Sequence, residues 1–131
     1  MGRRSVGHLC LVLTLGLCFF QASAHADEAA ERLRRPGAEV VVAMVEESTA
    51  GKPAHVKIRV EEVLKGTLDP RRELDAVWPK PTDKASELPA PGQRMLLLVK
   101  HGGARWAVDS RCRWPFSLSK RAWIMLTVRG T

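Results

Sequence analysis

A single cysteine lies between two arginines near the end of the chain, as Arg111-Cys112-Arg113. Flanking cations favour a thiolate and lower the pKa of an exposed thiol, which would make Cys112 a reactive nucleophile or a redox partner. A cysteine–histidine pair with His55 or His101 needs only that the side chains meet in space. No local signature of a cysteine enzyme accompanies them, and a thiol packed at a strand end explains the same residues. A second constellation surrounds Cys112: Trp106, Arg111, Arg113, Trp114, Lys120, Arg121 and Trp123. Aromatic faces stack on flat ligands, cations meet anions, and an arginine lies readily over a tryptophan. These residues form the candidate binding surface, set against the alternative that Trp106 is simply core.

Other chemistry is poorly represented. Metal binding needs His, Cys or carboxylates at ligand spacing; His55, His101 and Cys112 show no C-x-x-C or H-x-x-x-H, so no metal site is expected. The adjacent carboxylates Glu46-Glu47 and Glu61-Glu62 point to opposite faces of a strand and make no acid–base dyad. No Gly-rich phosphate loop and no G-x-S-x-G occurs. No cofactor is implied, and the balance favours a binding domain over an enzyme.

The N-terminus constrains what remains. Met1-Gly2-Arg3-Arg4 is followed by an apolar stretch from Leu9 to Phe20, then small residues ending Ala24-His25-Ala26. This is the layout of a secretory signal peptide over residues 1–26, with cleavage expected between Ala26 and Asp27 and Ala22-Ser23-Ala24 as the competing site. Twelve helical residues reach only about 18 Å, short of a bilayer core of about 30 Å. Cleavage removes Cys10 and Cys18 and leaves Cys112 without an internal disulfide partner. The expected compartment is the periplasm or the exterior, which disfavours nucleic acid as a ligand. No transmembrane segment is expected after cleavage.

The 105 residues after Ala26 suffice for one domain. Their charge is lopsided. Residues 27–93 carry a net −2, whereas residues 94–131 hold eight basic groups and only Asp109 as an acid. Such a basic end suits an acidic envelope protein or an anionic envelope component, unless it merely solvates the surface.

These residues must be positioned by secondary structure. Asp27 to Arg35 reads as a short helix or an arm, closed by Pro36-Gly37, so residues 27–37 precede the domain at 38–131. Val40 to Val45 is a β-branched apolar run, a buried strand. Val56, Ile58 and Val60 alternate with Lys57, Arg59 and Glu61; the phase then slips, and a β-bulge near Glu61-Glu62 would return Val63 or Leu64 to the core. Leu74, Ala76 and Trp78 share a face. Pro79 to Gly92 is a proline-rich loop. Met95 to Val99 reads as a central strand, and Ala104 to Asp109 alternates again. Arg111 to Pro115 is expected as an exposed crossing. Ser117 or Ser119 caps a last helix, with Leu118, Ala122, Met125 and Leu126 on one face. Five strands in about 100 residues suit a mostly β fold, a small five-stranded OB-like barrel with a C-terminal helix; a half-open sheet packed on that helix is the competitor.

The segments Val56–Gly66, Pro91–Val99 and Cys112–Leu118 resemble elements of the netrin-like and tissue-inhibitor-of-metalloproteinase-like domains. The resemblance spans residues 38–126 and implies an OB-like barrel. It also suggests a protease-inhibitor-like module as a further function. The animal inhibitors chelate the protease metal with an N-terminal cysteine and hold it with several disulfides; a chain beginning near Asp27 with only Cys112 has neither. The leading expectation is an exported, non-enzymatic binding domain with a basic C-terminal surface, the alternative a thiol-dependent enzyme or redox partner using Cys112.

Overall fold

The computed structural model describes residues 27–79 and 85–129. The expected signal peptide, with its cleavage site at Ala26, lies outside the described residues, as does part of the loop from Pro79 to Gly92.

Five strands form the body: β1 (Glu39–Thr49), β2 (His55–Lys65), β3 (Glu73–Val77), β4 (Arg94–Gly102) and β5 (Arg105–Pro115). They close into a barrel in the order β1-β2-β3-β5-β4. All pairings are antiparallel except β3 with β5, which run parallel through Ala76–Trp106 and Val77–Ala107. The fold is therefore mostly β, a small five-stranded OB-like barrel ending in a C-terminal helix. Closure removes the exposed edges that a half-open sheet would leave.

Among the described residues two α-helices flank the strands. The first, α1, covers residues 27–34, and the second, α2, is Leu118–Val128. Ser117 caps α2, its hydroxyl accepting from the Lys120 backbone N–H at 3.1 Å. Between β3 and β4 the chain makes one 3-10 turn, Ala85–Glu87.

The barrel builds two cores, and the sequence of β1 explains why. Val41, Ala43 and Val45 point into the barrel with Val56, Ile58, Val60, Leu74, Ala76, Met95, Leu97 and Val99. Val40 and Val42 point outward and join Leu96, Leu98 and Cys112 under Ala29 and Leu33 of α1 and Ile124 of α2. Strands covered on both faces read as continuous apolar runs, and strands with one wet face alternate. Hence β1 and β4 run unbroken while β2 alternates. Leu33 and Ile124 are fully buried; each holds its helix with about 1.5–3 kcal/mol of apolar burial.

The phase slip in β2 has the expected structural cause. Val42 pairs with Glu62 and Ala43 with Val60, so Glu61 is the extra residue. The bulge turns Val63 toward the barrel interior and Leu64 into the outer core.

Of the two readings of residues 27–37, helix or arm, the helix is seen: α1 is clamped by Ala29 and Leu33, and Lys65 Nζ donates to the Leu33 and Arg35 carbonyls at 2.8 Å each, satisfying the end of the helix. Two expectations need correction. Arg111 to Pro115 is not a crossing but the second half of β5, paired through Leu97–Arg113, Leu96–Trp114 and Met95–Pro115. The four residues Asp109–Cys112 bulge out opposite Leu98, which breaks the alternation that would have announced the strand. In α2 most of the predicted face is reversed: Ile124 and Thr127 are buried, Leu118 and Leu126 are 76% and 66% exposed, and of the predicted face only Met125 packs on the outer core. The helix packs through Trp123, Ile124, Thr127 and Val128 because it lies on an outer barrel wall already filled by Leu96 and Leu98.

Candidate functional site

The bulge in β5 is organised by one carboxylate. Asp109 is buried, and its Oδ1 accepts from the backbone N–H groups of Arg111 at 2.8 Å and Cys112 at 3.1 Å. Those amides lack strand partners in the bulge, so the side chain replaces the missing ladder. Arg32 of α1 donates to both carboxylate oxygens through Nη1, at 3.0 and 3.1 Å. Lys100 Nζ of β4 lies 3.2 Å from Oδ2. Burial opposes ionisation of Asp109, but the Arg111 amide, Lys100 and Arg32 outweigh it and hold its pKa below the usual carboxylate value. The one acid of the basic tail is therefore a structural knot joining α1, β4 and β5.

Cys112 packs beside this knot and is completely buried. Its thiol faces the Ala29 carbonyl at 3.6 Å. Burial, reinforced by the Asp109 charge, pushes the thiol pKa up to about 12, against the opposing pull of Arg32 and Lys100. Arg111 and Arg113 do not activate it: Arg111 is exposed and Arg113 lies on the opposite face of the strand. Of the two readings of Cys112, a reactive or a packed thiol, the structure shows a small packed side chain. Among the described residues no three His, Cys, Asp or Glu side chains come together as metal ligands.

The predicted Trp/Arg surface divides into three places. Trp106 packs against the barrel interior and lines a groove of about 310 Å³ with His55, Asp75 and Arg105. There His55 Nδ1 lies 3.1 Å from Asp75 Oδ1, and the His101 ring meets Trp106 edge to face at 4.9 Å. Trp114 and Trp123 sit on the outer core, 6.0 Å apart and edge to face. Lys120 lies over both, 5.2 Å from one ring and 4.7 Å from the other. Arg113 projects inward, because it pairs across the sheet with Leu97, a barrel-interior residue.

Nothing matches this chain among family models, curated proteins or solved structures.

Two basic members of the cluster are engaged elsewhere. Arg121 Nε donates to Glu62 Oε2 at 3.2 Å, and its Nη2 to Oε1 of the same carboxylate. Arg111 Nε lies 3.7 Å from Glu28. The adjacent carboxylates are likewise bound in pairs, Glu46 with Arg59 at 2.8 Å and Glu61 with Arg94 at 3.0 Å. Among the described residues Lys120 and Arg129 meet no carboxylate.

The sequence reading left out the exposed stripe Leu118, Ala122 and Leu126 as a surface feature. Its signal was present in the i, i+4, i+8 spacing, which was assigned to the core. It also left out Trp78, over whose ring the Arg113 guanidinium stacks at 4.5 Å. Only the closure of the barrel brings those two residues together.

Proposed function

We propose that this protein is an exported, non-enzymatic binding domain of the cell envelope, and that its contact surface is the outer face of α2. The observation that carries this reading is the pair Leu118 and Leu126, the most exposed large apolar side chains among the described residues. With Ala122 they form one stripe along the helix. Arg129, exposed at the helix end on the side of this stripe, meets no carboxylate among the described residues, whereas Lys120 lies on the packed side over Trp114 and Trp123. An apolar stripe with a cation at its end suits an acidic protein surface or another anionic envelope component. The resting state of Cys112, buried and protonated, supports binding rather than thiol chemistry. Among the described residues no helix is long and apolar enough to cross a membrane. The signal-like N-terminus supports periplasmic or secreted placement.

Site-specific photocrosslinking in intact cells tests this. A crosslinker at Leu126 should give a discrete adduct that weakens in Arg129→Glu, on protein recovered outside the cytoplasm with Asp27 first. A crosslinker at exposed Lys57 of β2 should give none. Absence of an adduct at both Leu118 and Leu126 refutes the surface, and a cytoplasmic protein retaining Met1 refutes the compartment.

A further inference from the structure

We infer that the cleft lined by Trp78 and Arg113 is a binding site for an organic monocarboxylate with an apolar body. Arg113 points to the barrel side of β5, where its neighbours across the sheet are apolar. Its Nη1 is buried and has no hydrogen-bond partner. Among the described residues no carboxylate pairs with it; its only close polar-type contact is the Trp78 ring. Arg113 is partly exposed, but an enclosed guanidinium nitrogen without an acceptor is costly, and an acceptor on a ligand anion would satisfy it.

The surroundings define that anion. Arg113 lines a cleft of about 310 Å³ together with Trp78, Leu88, Pro89, Gln93 and Met95, with Glu87 at its exposed rim. Trp78, Leu88, Pro89 and Met95 are buried and give the cleft apolar walls. Gln93 holds its Oε1 against the Ala90 N–H at 3.2 Å, which leaves its amide N–H2 as the remaining donor of that side chain. The planar fork of Arg113 matches the two oxygens of a carboxylate. The single guanidinium suits a single negative charge, and the aromatic and aliphatic walls favour a ligand with a ring or a short hydrocarbon chain. Such a head group belongs equally to a free organic acid or to a peptide ending in an apolar residue. The site lies on the barrel side of β5, away from the outer face of α2, so it stands or falls independently of that surface.

Titrations followed by nuclear magnetic resonance at the Trp78 indole N–H decide the matter. Phenylacetate represents the free acid and N-acetyl-leucine the peptide end. At least one should give saturable shifts, and the arm that binds more tightly names the source. Phenylacetamide, which has no charge, should bind about tenfold more weakly, the loss of about 1.4 kcal/mol. Arg113→Met should weaken the acid by a similar factor and leave the amide unchanged, and Arg113→Lys should fall between, since it keeps the charge but loses the fork. Absence of saturable shifts with both acids overturns the proposal. So does equal binding of acid and amide, or an Arg113→Met protein that binds the acid as well as the parent does.

Discussion

Asp109 and Arg113 stand four residues apart on β5, the first buried and the second partly buried with its Nη1 enclosed, and their surroundings differ completely. Asp109 receives four donor groups, from Arg32, Lys100 and two backbone amides. Among the described residues the Arg113 Nη1 finds no acceptor, and the guanidinium rests on an indole ring. A buried ion whose hydrogen bonds are complete is hard to remove, because each partner is left with an unmet charge or donor. A partly buried ion that lacks them contributes little to stability, so its presence calls for another explanation. The difference separates architecture from a site: the knot at Asp109 holds α1 to the barrel, and the cleft at Arg113 is left open to a ligand.

The sharpest way to break this comparison is Asp109→Ala. It removes the acceptor for two amides in the bulge and the counter-charge for Arg32 and Lys100. We expect a loss of about 3–5 kcal/mol in chemical denaturation, the range for breaking a buried pair, and a fall in Tm of more than about 10 °C for a domain of this size. The far-ultraviolet spectrum should keep its β character while α1 loosens. A loss below about 1 kcal/mol would place Asp109 with the exposed ion pairs and remove the contrast.

Acid titration sharpens the same contrast at smaller amplitude. Asp109 has its folded pKa below the usual 3.8, so the folded state binds its proton less readily than the unfolded chain does. Its stabilising contribution is complete above the unfolded value and is lost as pH falls through the folded one, so the relevant window lies below about pH 4. Denaturant midpoints between pH 7 and pH 2 should fall steeply at that acid end. Asp109→Asn should flatten that fall while lowering stability at neutral pH. An unchanged acid limb in Asp109→Asn would show that other carboxylates carry it.

The two sites also differ in how far they could be read from the sequence. Elements whose burial follows one rule were legible: the two-sided runs of β1 and β4, the alternation of β2, and the bulge at Glu61, which a phase slip announces. The second half of β5 was not, because Asp109–Cys112 supply a four-residue bulge that erases the period of two. Most of the face of α2 was inverted because Leu118 and Leu126 look like core by type, while the space beneath the helix is filled by Trp123, Ile124 and Thr127. For Cys112 the sequence left a reactive and a packed thiol open; the packed one is seen, because neighbours in sequence are on opposite faces of a strand and the flanking arginines never reach the thiol. The tryptophans and arginines of the tail were found as residue types, but only barrel closure sorts them among groove, helix face and cleft.

Arg113→Met should have the smallest effect on stability and is the most informative for that reason. Two terms oppose each other. Stacking of the guanidinium on Trp78 contributes about 0.5–2 kcal/mol, more when desolvated. Withdrawing an Nη1 that finds no acceptor costs about 1–3 kcal/mol. Methionine keeps most of the apolar stem, fills the space beside Met95 and Leu88, and brings no unmet donor. The expected outcome in chemical denaturation is a midpoint within about 1 kcal/mol of the parent or above it, as for buried ions replaced by hydrophobic side chains. A rise would mean that the fold tolerates a destabilising arginine at the mouth of an apolar cleft, which only a bound anion would offset. A fall of several kcal/mol would instead make Arg113 a structural member like Asp109, and the two charges of β5 would then serve the same purpose.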